Sequence, residues 1–143
     1  MAETARGRTL RLIGYWWGPD EPGWPDVNQF VDEGLDPDES ERVARYLSFG
    51  TVWVAAAGLS LCRLCGVGNG SAELTDGRHF IWPEGLGHYV RGHQVRLPAQ
   101  IIEVMSGGPA PVGAFRFERE LESGDLSIDD EWWGTLSPTF GSS

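Results

Sequence analysis

"CRLCG", residues 62–66, holds both cysteines of a 143-residue chain, Cys62 and Cys65, with Gly66 directly behind them. Three readings compete: a metal grip, a redox pair, or two buried thiols without a role. The downstream residues favour the first. After the cysteines come "AELT", "DG" and "RHFIW" (residues 72–82), two β-rich arms around an Asp-Gly turn signal. Then comes "PEGLGHYVRGH" (residues 83–93), which expects a helix opened by Pro83 and carries His88 and His93. The spacing is Cys-x2-Cys, 22 residues, then His-x4-His. Zinc takes four nitrogen or sulfur ligands in a tetrahedron, and a tight Cys-x-x-Cys turn supplies two thiolates on one side of it. Histidines about one helical turn apart project from one face.

Metal ligation would also account for the helix itself. Gly85, Gly87 and Gly92 weaken it, and metal-binding energy becomes folding energy. A thioredoxin-like pair should open a helix, whereas "GVGNG" (residues 66–70) follows Cys65. The expected cofactor is therefore zinc, held by Cys62, Cys65, His88 and His93. The expected fold class is α+β: a small single domain, residues 1–143, built around a zinc knuckle, β-hairpin and helix at about residues 59–98. The knuckle–hairpin–helix order resembles a treble-clef or zinc-finger-like unit. Its 22-residue gap exceeds the usual finger spacing, so the likeness is to the architecture and not to a DNA-reading finger. From Leu12 to Pro98 the chain also resembles a set of small bacterial proteins, on "LIGYW", "CRLCG", "NGSAELTDG", "WPEGLGHYV" and "HQVRLP". That resemblance implies no activity, and no catalytic role is carried over from it.

Four protein ligands close a zinc site, whereas a displaced ligand opens a position for water and chemistry. His79 is the spare imidazole, and Glu73, Asp76 and Glu84 surround the cysteines and histidines in sequence. Glu73, Asp76 and His79 are the candidate proton-handling residues of a hydrolase- or lyase-type zinc enzyme. Each also has a plainer task. Asp76 shapes a turn, Glu84 suits a helix N-terminus, Glu73 bonds locally in a strand, and His79 sits on the surface.

Composition narrows the function classes. All eleven basic residues are Arg, which excludes Schiff-base lysine chemistry and a P-loop, and fits a G+C-rich bacterial genome. The net charge of −10 is uneven. Residues 20–41 hold nine acids and no base, and residues 118–131 hold seven acids and one Arg. Residues 42–117 between them hold seven Arg and four acids. A chain this acidic is repelled by phosphate backbones, so nucleic-acid binding through the central Arg residues is the weakest reading. A protein partner, and a basic one in particular, suits the flanks better, with solvated acidic faces as the plainer alternative. Arg63, Arg78, Arg91 and Arg96 could bind phosphate or carboxylate, or simply be solvated. There is no long apolar run or secretory leader, and two close cysteines cannot staple a secreted domain, so a cytoplasmic protein is expected.

Elsewhere, residues 9–16 read as a first strand, and Pro25 as opening a short helix through Val31. "LDPDESERVARYLSFG" (residues 35–50) reads as a helix with Asp36 as N-cap, Pro37 first inside and Gly50 as its stop. "TVWVAAAGLSL" reads as a buried strand, "PAQIIEVM" as a short helix and "VGAFRFE" as a last strand. An acidic C-terminal segment, about 118–143, lacks periodicity, although Trp132-Trp133 expects it to dock back. One Trp of each of the pairs Trp16-Trp17 and Trp132-Trp133 is expected in the core. "DLSIDDE" is no calcium loop, because Asp130 replaces the turn glycine and Leu136 the closing Glu. "GVGNG" is no phosphate loop, and HExxH and GxSxG are absent. The leading expectation is a zinc-stabilised, non-enzymatic binding protein of adaptor or immunity type. The runner-up is the zinc enzyme.

Overall fold

Strand alternation on "FIWP" organises the molecule. Phe80 and Trp82 point to one face of a sheet and Ile81 to the other, and all three are buried. A computed structural model describes residues 8–19, 21–54, 60–107, 114–124 and 126–136. Five strands are described: β1 (Arg8–Leu12), β2 (Thr51–Val54), β3 (Glu73–Thr75), β4 (Phe80–Pro83) and β5 (Leu126–Asp129). They form one mixed sheet in the order β2-β3-β4-β1-β5. The first two pairings are antiparallel, and β1 lies parallel to both β4 and β5. Four α-helices are described: α1 (Pro37–Ser48), α2 (Leu86–His93), α3 (Ala99–Met105) and α4 (Ala114–Ser123). The fold is α+β. Among the described residues no helix is long and apolar enough to cross a membrane.

The two faces of the sheet carry separate cores. The larger gathers Val43 and Leu47 of α1, Leu86, Tyr89 and Val90 of α2, and Ile101 and Met105 of α3 around Trp16, Phe30, Trp82 and Trp133. The smaller packs Phe117 of α4 against Leu10, Ile81 and Leu126, with Trp53 and Leu121 at its edge. Helix α1 starts as its sequence dictates: the Asp36 carboxylate accepts from the Asp38 N–H at 3.2 Å, with Pro37 in the first position. In helix α2 the stripe Leu86, Tyr89, Val90 has the i, i+3, i+4 spacing of a buried face. Burial of that stripe therefore supports the glycine-weakened helix before any metal does.

Several expectations need correction. "VGAFRFE" is not a strand: from Ala114 the chain is helical, because Phe117 and Leu121, one turn apart, cover the second face of the sheet. The acidic segment of about 118–143 takes regular structure in part: it begins inside α4 and continues as β5 and a 3₁₀ turn, Trp132–Thr135, while residues 125 and 137–143 lie outside the described residues. Pro83 ends β4 and does not open α2, whose N-cap is Gly85. The hairpin turn has four residues, 76–79, instead of two. Asp76 closes it by accepting from the N–H groups of Arg78, His79 and Phe80 at 3.0, 2.7 and 3.0 Å. The first strand stops at Leu12, and the short helix near Pro25 is a 3₁₀ turn, Val27–Phe30, capped by Asp26. Of "TVWVAAAGLSL", Thr51–Val54 is a strand and residues 55–59 lie outside the described residues. The Trp pairs divide as expected: Trp16 and Trp133 are buried, while Trp17 is 48% exposed and Trp132 half-buried.

Candidate metal centre

Cys62 and Cys65 sit on a narrow loop that pairs with itself. The Cys62 N–H donates to Val67 O at 2.9 Å, and the Gly66 N–H returns to Cys62 O at 2.8 Å. Gly66 makes that return possible at φ +79°, a left-handed conformation that glycine adopts without steric cost. The Leu64 N–H donates to Cys62 Sγ at 3.4 Å, a backbone contact that orients the sulfur. Cys62 is buried, Cys65 is exposed, and both are free thiols.

Helix α2 brings the imidazoles. His88 and His93 are half-buried, and their Nε2 atoms lie 3.2 Å apart. His88 Nε2 is 3.5 Å from Cys65 Sγ. One donor atom from each of Cys62, Cys65, His88 and His93 falls within 4.8 Å of every other, so the four could hold a metal ion.

Two residues outside this donor set tie the halves together. Tyr89, between the histidines, accepts at its hydroxyl from the Arg63 N–H at 2.7 Å and so links α2 to the residue between the cysteines. Nothing in its sequence context marks that role; its place on the apolar stripe of α2 announces only burial. Burial pushes its phenol up to about 12; the Arg63 amide opposes that rise and the Cys62 thiol adds to it. Glu84, just before α2, accepts from the N–H groups of Ser71 and Ala72 at 3.1 and 3.2 Å. A cleft of about 210 Å³ beside the knuckle is lined by Tyr15, Trp16, Arg63, Glu84 and Tyr89 among others.

The other candidates lie elsewhere. Asp76 and His79 belong to the hairpin turn, separated from the start of α2 by the length of β4, about 13 Å at roughly 3.3 Å per residue. Asp76 is 4% exposed and also accepts from the Tyr46 hydroxyl at 2.6 Å. Its four donors make it a structural acceptor. His79 is exposed, with Nδ1 3.8 Å from Asp76 Oδ2. Glu73 accepts a hydrogen bond from the Tyr15 hydroxyl. None of these three is among the four converging side chains.

The uneven charge also has a structural meaning. Arg63 pairs with Glu21 at 3.3 Å, Arg91 with Glu41 at 3.1 Å, and Arg96 with Glu39 at 2.9 Å and Asp32 at 3.8 Å. The basic centre thus neutralises part of the first acidic flank inside the molecule. No family model, curated protein or solved structure matches the chain, which leaves the site itself as the ground for a function.

Proposed function

We propose that the chain is a zinc-stabilised, non-enzymatic binding protein whose structural zinc is held by Cys62, Cys65, His88 and His93. The observation that carries this is the spacing of the donor atoms. Zn–N bonds of about 2.0 Å and Zn–S bonds of about 2.3 Å imply tetrahedral edges of about 3.3 Å between two nitrogens and about 3.5 Å between nitrogen and sulfur. The distances here are 3.2 and 3.5 Å. Two thiolates and two imidazoles are a donor set suited to zinc over hard cations such as magnesium or calcium.

Two further features favour a closed structural site over a catalytic one. Four protein donors would fill a tetrahedron, and the carboxylates considered for proton transfer, Glu73 and Asp76, have structural work elsewhere. Zinc in this position would join the knuckle to the end of α2. It would thereby fix a surface on which the knuckle residues Leu61 and Val67 are 50% and 49% exposed. Trp17, whose carbonyl accepts from Arg63 Nε at 3.2 Å, lies beside it. Exposed apolar residues held on a rigid loop suit a protein partner. The internal pairing of Glu21, Asp32, Glu39 and Glu41 subtracts from what the first flank offers a basic one.

The deciding experiment is metal content of the purified, untagged protein and of the separate variants His88→Ala and His79→Ala. One zinc per chain, lost in His88→Ala and retained in His79→Ala, is the expected result. Zinc lost in His79→Ala alone would reassign the ligands, and no metal in any preparation would defeat the proposal. Cobalt substitution then tests closure: a tetrahedral spectrum that added cyanide leaves unchanged is expected, and a cyanide-sensitive one would revive the enzyme.

A further inference from the structure

At the far end of the hairpin from the metal centre, a groove of about 500 Å³ is lined by Arg11, Arg78, His79, Gln100, Asp129 and Trp132 among others, a volume in the range of small-molecule sites. Its charge is opposite in sign to that of the chain. Arg63, Arg91 and Arg96 are each neutralised by carboxylates. Arg11 and Arg78 have no carboxylate within ion-pair distance among the described residues, and both are exposed to the groove's solvent.

The fold brings these cations together by register. Arg11 pairs with Phe80 across the parallel β1–β4 ladder, and its N–H donates to His79 O at 2.8 Å. The Arg11 guanidinium carbon lies 4.2 Å from the centroid of the Trp132 ring, a cation–π contact that limits its side-chain freedom. Trp132 in turn stacks on buried Phe80, with ring planes 18° apart. His79 Nδ1 lies 3.8 Å from Asp76 Oδ2, and its Nε2 has no partner among the described residues. One carboxylate, Asp129, also lines the groove. It is the register partner of Arg11 across the parallel β1–β5 ladder, and its Oδ1 is engaged by the N–H groups of Glu131 and Trp132 at 2.9 and 3.1 Å. The hydroxyl of Thr9, on the same wall, is engaged with that of Ser127 at 3.1 Å.

We propose that this groove binds a phosphate monoester, its phosphate held by Arg11, Arg78 and His79. Two guanidinium forks, an imidazole and the Gln100 amide offer more donors than the two oxygens of a carboxylate accept. A monoester presents three terminal oxygens and close to two charges. The remaining volume accommodates an organic body. The site uses no metal ligand and stands whether or not zinc binds.

Calorimetric titration of the full chain at constant ionic strength tests it, with inorganic phosphate, phenyl phosphate and malonate as probes. Phenyl phosphate should bind saturably and more tightly than phosphate, with malonate at least tenfold weaker. Arg78→Gln, on an exposed turn, and Arg11→Gln should each weaken phenyl phosphate about tenfold or more, the effect of losing a charge-assisted hydrogen bond, and Arg91→Gln should not. Absence of saturable binding to the wild type would overturn the proposal. So would malonate binding as well as phenyl phosphate, or an equal loss in Arg91→Gln, which would mean diffuse charge attraction only. Inorganic phosphate matching phenyl phosphate would overturn the monoester assignment.

Discussion

Gly85 and Gly87, two residues apart at the start of α2, should respond in opposite ways to the same substitution. A methyl group on Gly85 would collide with the Asn69 side chain and its carbonyl oxygen, where the segment leaving the knuckle comes closest to the helix. A methyl on Gly87 would meet nothing within 4 Å. Helix propensity favours Ala at Gly87, inside the helix, by up to about 1 kcal/mol, whereas at the N-cap position of Gly85 glycine is the better residue. Thermal melts should therefore show Gly87→Ala unchanged or more stable and Gly85→Ala less stable, with weaker metal retention in Gly85→Ala alone. A stabilised Gly85→Ala would mean that Asn69 moves aside freely. Asp76 is the other decisive single residue. Replacing it by Ala leaves three turn N–H groups and the Tyr46 hydroxyl without their acceptor, a loss on the order of 3 kcal/mol. Urea titration should record that loss while metal content stays at the wild-type level; loss of the metal as well would contradict the separation of turn and metal centre. The role of Asp76 is only half legible in the sequence. An Asp-Gly pair announces a turn, but the burial that gives this carboxylate four donors depends on α1 packing behind it.

At the level of the element, the C-terminus of α2 sets where His93 points. Gln94 ends the helix at φ 56° and ψ 33°, the left-handed conformation that disfavours a residue with a Cβ. It is held there because its carbonyl accepts from the Asp32 N–H at 2.9 Å and its own amide group donates to Glu33 O at 3.3 Å. Gln94→Gly should relieve the backbone strain and lose only the weaker side-chain bond. A net gain of up to about 1 kcal/mol is expected in denaturant melts, with metal content unaltered. A net loss would show that the Glu33 contact outweighs the strain. Elements of this kind are legible where local signals agree. The Asp36-Pro37 start of α1 is one case, and the order knuckle, hairpin, helix is another. The elements that escape such signals are those decided by distant packing. In "AFRFERELES" the alternating Phe-Arg-Phe-Glu imitates a strand, yet Phe117 and Leu121 must share one face to cover the sheet. In β5 only Leu126 is buried, so hydrophobic alternation barely registers, and the strand exists because β1 offers it a parallel edge. The four candidate ligands are recognisable because donor type and spacing are local properties of zinc chemistry. The Arg11–Trp132 groove is not, because its parts come together only through the register of β1 with both β4 and β5.

For the whole molecule, two phenol–carboxylate pairs clasp the hairpin from either side: Tyr46 of α1 on Asp76, and Tyr15 on Glu73. In both, burial first and the hydrogen-bonded carboxylate second hold the phenol well above its ordinary value of 10.0. The folded state therefore keeps these protons at a pH where the unfolded chain has released them. A raised folded value means that the stabilisation is complete below pH 10.0 and is lost as pH climbs through the folded values. For buried Tyr46 the slope above that point approaches about 1.4 kcal/mol per pH unit. The protein should thus unfold in alkali cooperatively, with tyrosinate absorbance and loss of tertiary circular dichroism rising together. Tyr46→Phe separates this cause from general charge repulsion among the carboxylates. It should lower stability at neutral pH, because Asp76 loses a donor, and also flatten the decline above about pH 10, where the phenol would otherwise titrate. A Tyr46→Phe curve that runs parallel to the wild type through the alkaline range would place the pH dependence elsewhere, in Tyr15, in Tyr89 or in the repulsion of a chain with net charge −10.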